Sequence, residues 1–123
     1  MAVKLNRRQL PALLAAAPQA AAATGNSKTW VGFPQQDFAW VKEVVGAAHS
    51  DIGRVKAVVE AHPAAANATM DWGFGDWETP LGAAAHTGRR EIAEYLLDKG
   101  ARLDLFAATM LGMTDVVKAM VAA

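Results

Sequence analysis

Cysteine is missing from all 123 residues, and that removes disulfides, thiolate metal ligands and a cysteine nucleophile together. A surplus of either charge is missing as well, since 12 Lys and Arg stand against 12 Asp and Glu. A chain that grips phosphate backbones needs a basic surface, so no nucleic-acid partner is expected. No uninterrupted apolar run reaches the ~20 residues that cross a bilayer, so no membrane span is expected either. Serine is confined to Ser27 and Ser50, and neither lies in a nucleophile elbow. Gly73-Phe74-Gly75 has no basic residue after it, which sets it apart from a phosphate loop. The chain therefore reads as no enzyme and carries no cofactor signature.

What is present is concentrated between Thr79 and Ala101. Thr79 can cap a helix whose first turn starts at Pro80, where the missing N–H would be unpaired in any case. Leu81 and Ala83, Ala84 and Ala85 then make a narrow helix that a neighbour can approach closely. Gly88 suits the left-handed position after that helix, and Arg89 to Lys99 follow as a second one with Ile92, Tyr95, Leu96 and Lys99 at helical spacing. Leu97 adjoins this stripe, and Gly100-Ala101 closes the unit.

This stretch resembles one ankyrin repeat nearly position for position, a turn followed by a TPLHxAAxxG-like first helix, an Ile and Leu-Leu second helix and a final Gly-Ala. Gly82 departs from the pattern, which usually has histidine there. Two weaker copies flank it. Setting Asp51 against Gly88 puts Val55 opposite Ile92, Val58 and Val59 opposite Tyr95 and Leu96, and His49 opposite His86. Its helices are expected at Asp37 to Ala48 and Gly53 to Ala61, with Phe38, Val41, Val44 and Val45 on one face and His62-Pro63 as the stop. Setting Gly112 against Gly88 predicts a third pair, Leu105 to Leu111 and Asp115 to Val121. The resemblance implies an all-α fold of stacked helix-turn-helix repeats, a solenoid of about three helical pairs at 37–63, 78–101 and 103–123. It also implies a non-catalytic scaffold that binds a protein partner.

Residues 64–77 read as an inserted loop rich in aromatics. By resemblance this region corresponds to the fingers that border the ligand-facing surface, which nominates Trp72, Phe74, Asp76 and Trp77, with nearby Arg89 and Arg90, as partner contacts. The competing reading has the three aromatics folding back to cover the alanine-rich helices. His49 and His86, equivalent in successive repeats, favour architecture over catalysis; a small-ligand or metal-binding accessory role, with a carboxylate such as Asp51 completing a site, is the alternative.

Residues 1–23 look like an export signal. Lys4, Arg7 and Arg8 precede a weakly apolar run from Leu10 to Ala17, and Ala21-Ala22-Ala23 supplies small residues for cleavage. Asn6-Arg7-Arg8-Gln9-Leu10 is similar to the twin-arginine pattern of bacterial signals. A periplasmic or secreted protein starting near Thr24 is expected, with 24–36 as a flexible linker. Val116, Val117, Met120 and Val121 form an apolar stripe on the last helix, with Met110, Leu111 and Met113 as further exposed apolar surface. Solenoids need polar end caps, so this end is expected to continue into a longer repeat protein, of which the chain is the N-terminal capping portion, to self-associate, or to dock a partner.

Overall fold

The computed structural model describes residues 35–122, and the expected signal and linker of the first 34 positions lie outside the described residues. Asp37 takes extended backbone and its carboxylate accepts the Ala39 N–H at 2.7 Å, which starts helix α1, Phe38–Ala47. Asp51 does the same for α2, Ile52–Ala61, accepting from Arg54 N–H at 2.9 Å. Such caps satisfy one of the orphan donors of a first turn and stabilise it by about 1 kcal/mol. After His62 the chain tightens into a short 3-10 turn, Pro63–Asn67, that lays Ala65 and Ala66 into the core.

Two short strands follow, β1 at Met70–Asp71 and β2 at Trp77–Glu78, paired antiparallel with Met70 opposite Glu78 and Asp71 opposite Trp77. The 64–77 segment is thus divided between the 3-10 turn and a hairpin rather than forming one inserted loop. Helix α3, Pro80–His86, is capped as its sequence indicates, with Thr79 Oγ1 accepting the Gly82 N–H at 3.0 Å. Gly88 lies beyond its end at φ 68°, and Gly112 beyond the later helix Leu105–Leu111 at φ 76°. Both are left-handed positions where a side chain would be strained. Helices α4, Arg90–Asp98, α5, Leu105–Leu111, and α6, Thr114–Val121, complete the series.

The helices stack as pairs: α1 with α2, α3 with α4, α5 with α6, while α3 touches α1 on one side and α5 on the other. Valine and leucine face inward from the paired helices, and alanine fills the seams where backbones come close. Val44, Val45, Val55, Leu96, Ala83 and Ala84 are wholly enclosed. No described helix is long and apolar enough to cross a membrane.

Two expectations, on Phe38 and on Met110 and Leu111, are corrected, while the last helix leaves part of its apolar stripe uncovered as expected. Phe38 lies one turn before the buried part of α1 and stays 64% exposed, lining a shallow recess with Val41 and Met70 instead of packing inward. Met110 and Leu111 are partly buried against the core, not free surface. On α6, Val116 and Val117 are half-buried while Met120 and Val121 are exposed, so the helix contributes no fully buried side chain.

Side chains also tie successive pairs together. Asn67 donates to the Gly100 carbonyl and accepts the Arg102 N–H, both at 2.8 Å, which zips the end of one pair to the end of the next. Tyr95 carries the Lys56 and Lys99 ammonium groups over its ring, each 5.5 Å from the centroid. Its hydroxyl oxygen is enclosed without a hydrogen-bond partner among the described residues. Burial, with the nearby Glu60 and Asp98 charges, holds that phenol above its ordinary range of ionisation.

Candidate functional site

The hairpin between β1 and β2 is built by local hydrogen bonds. Asp71 Oδ1 accepts the Gly73 N–H at 2.8 Å, the Trp72 N–H donates to Asp76 O at 2.9 Å, and the Asp76 N–H to Gly73 O at 3.0 Å. The three residues at the tip, Gly73, Phe74 and Gly75, all have positive φ, at 92°, 56° and 84°. Glycine adopts such angles freely, whereas a bulky side chain there is strained by about 1 kcal/mol or more. The strain displays Phe74 at full exposure.

Trp77 is 72% exposed and shares a recess with Phe106, itself 73% exposed on α5. Gly82 lines the same recess and brings no side chain to fill it. Phe74 and Trp77 therefore do not fold back over the alanine helices; Ala84 and its neighbours are covered by the adjoining helices instead. Trp72 is in an intermediate position, 44% exposed. Its indole N–H donates to Glu78 Oε2 at 2.8 Å.

Glu78 has a second set of partners. Its Oε1 lies 2.8 Å from His86 Nε2 and 3.5 Å from His49 Nε2, and the two histidine Nε2 atoms are 3.3 Å apart. His49 comes from just beyond α1, Glu78 from β2 and His86 from the end of α3, so the cluster joins two helical pairs and the hairpin. His49 Nδ1 is 3.0 Å from the Val45 carbonyl, which can only accept, so that nitrogen carries the proton. The equivalence of His49 and His86 read from the sequence is realised as contact. Asp51 is not part of it, because its carboxylate is committed to capping α2; Glu78 supplies the carboxylate.

Arg89 and Arg90 are not brought to the aromatic hairpin. They line a separate recess with Ser50, Ile52 and Ile92. Arg89 Nε donates to the His49 carbonyl at 2.9 Å, and Arg90 donates to the Leu111 carbonyl at 3.1 Å while pairing with Glu94. Both guanidinium groups hold one pair to the next. The sequence reading missed Glu78 and Phe106: nothing at either position marks it until the hairpin turns Glu78 toward the histidines and the stack sets Phe106 beside Trp77.

No curated protein and no solved structure matches the chain. Residues 76–108 match the family model of the ankyrin repeat, so the stretch running from the hairpin's second strand through α3 and α4 into α5 is similar to one ankyrin repeat, set within a stack of ankyrin-like helical pairs.

Proposed function

We propose that the chain is a non-catalytic protein-binding scaffold that engages its partner through the aromatic hairpin and the adjoining face of α5. The ankyrin repeat supports a protein-interaction role. The observation that carries the assignment to this surface is Phe74, held fully exposed on the strained turn of the hairpin whose second strand sets Trp77 in one recess with Phe106. Exposed aromatics cost solubility unless they are used, and buried aromatic anchors dominate most interfaces. Asp76 lines the Trp77–Phe106 recess as well, Trp72 lines the histidine recess instead, and Arg89 and Arg90 serve the stack.

Replacing Phe74 and Trp77 together by alanine, in the full chain with its helical content intact, is expected to weaken capture of its cellular partner about thirtyfold or more, the effect of one strong anchor. Capture at undiminished strength by the double variant would remove this surface from consideration.

The same reading places the protein in the periplasm or outside the cell, on the strength of the paired Arg7 and Arg8, the apolar run and the small residues before Thr24. Intact mass of the protein recovered from a fractionated bacterium tests it: a periplasmic product starting near Thr24 is expected, and a cytosolic product with its first residues retained would overturn it.

A further inference from the structure

We propose that His49, Glu78 and His86 form a binding site for a four-coordinate divalent transition-metal ion of the zinc class. The geometry carries most of the argument. An ion held tetrahedrally at about 2.0–2.1 Å from each donor separates its donors by about 3.3 Å. The His49–His86 separation of 3.3 Å and the His49–Glu78 separation of 3.5 Å match that edge. The His86–Glu78 separation of 2.8 Å is a hydrogen-bond distance and opens by about 0.5 Å when an ion replaces the shared proton. His86 can make that movement because its side chain is 57% exposed.

Donor chemistry agrees with the distances. The proton on His49 Nδ1 is fixed by the Val45 carbonyl, which leaves Nε2 with its lone pair aimed at the cluster, the arrangement typical of ligating histidines. The Trp72 indole holds Glu78 Oε2 and leaves Oε1 facing both rings. Two lone-pair donors, His49 Nε2 and Glu78 Oε1, thus converge on His86 Nε2, whose proton bridges them in the absence of an ion and whose place a cation can take. Two imidazoles with one carboxylate favour zinc, cobalt or nickel over magnesium or calcium, which prefer all-oxygen shells. The three ligands line a recess with Gly46, Trp72 and Asp76, open to solvent, where water or a partner's donor completes the shell.

The consequence of occupancy is mechanical. The ion would clamp the hairpin's second strand to α1 and α3 together and fix the base from which Phe74 projects. It binds without any partner protein, so the site and the scaffold reading stand or fall separately.

The test is titration of the full chain, purified without a histidine tag, with cobalt(II) and then zinc. We expect one cobalt per chain, with the intense visible absorption of four-coordinate cobalt, displaced by one equivalent of zinc. His49→Gln and His86→Gln should each weaken zinc binding more than tenfold. Trp72→Phe, which keeps the ring and loses only the donor to Glu78, should weaken it about tenfold, as loss of an outer-shell partner does. His62 stacks on Trp40 away from the cluster, so His62→Gln should bind as the unaltered chain does.

Should a histidine variant fail to fold, imidazole nitrogen resonances of the unaltered chain decide the matter. Zinc should shift those of His49 and His86 and leave His62 in place. Six-coordinate cobalt without saturation, equal zinc affinity in the glutamine variants, or unshifted His49 and His86 resonances would each overturn the proposal. The cluster would then be a proton-bridged histidine–glutamate contact alone.

Discussion

Leu96→Ala is expected to destabilise the domain by about 3 kcal/mol, read as a fall in the urea midpoint at unchanged slope. Leu96 is wholly enclosed on α4, one turn after Ile92, where the middle pair meets its neighbours. Truncation removes the transfer energy of three carbons and leaves a cavity that stacked helices, fixed on both sides, can fill only in part. A domain of this size has a total stability of roughly 4–13 kcal/mol, so the loss is a large fraction of it. Because each pair in such a stack is supported by its neighbours, weakening the middle one uncouples both ends. A change below about 1 kcal/mol would mean that Leu96 does not anchor the core.

Ala84→Leu should be damaging for the opposite reason. Ala84 is wholly enclosed on α3, the helix that touches α1, α4 and α5. Three added carbons find no space there and must push a neighbouring backbone aside, at a cost of about 1–3 kcal/mol or more. The same change at Ala61, exposed near the end of α2, should be close to neutral. Thermal unfolding of the two variants side by side checks the claim. Equal midpoints would show that the seam between the first helices tolerates bulk and that alanine there is not required by packing.

Both expectations rest on features visible along the chain before any fold is known. The alanine run after Thr79-Pro80 marked a helix that others approach closely, and the Ile92-to-Leu96 spacing marked the inward face of its partner. The cap residues were equally legible: Asp37 and Thr79 bond to N–H groups two or three residues ahead, so their role is written in local spacing. The pair at Leu105 to Leu111 and Asp115 to Val121 followed from alignment with the clearer repeat, and the structure starts the second of these helices one residue earlier, at Thr114.

The side chains of the candidate site were legible only by type. Aromatics between Pro63 and Glu78 were noticed, but whether they cover the helices or leave them depends on a turn whose positive φ angles no spacing rule dictates. Arg89 and Arg90 were read as partner contacts beside the aromatics. In the stack they bond to carbonyls 40 and 21 residues away.

The sequence by itself determined that this chain makes capped, alanine-seamed helices in pairs, because caps and inward faces depend on residues three or four positions apart, and its Thr79-to-Ala101 motif marked the pair that is similar to an ankyrin repeat. Only the tertiary structure decided that Phe38 faces solvent, that Glu78 rather than Asp51 joins His49 and His86, and that Phe106 stands beside Trp77. Those outcomes depend on which pair lies against which and on how far the hairpin turns back. They bring together groups far apart along the chain, Glu78 with His49 and Trp77 with Phe106, a distance over which helical periodicity carries no information about direction.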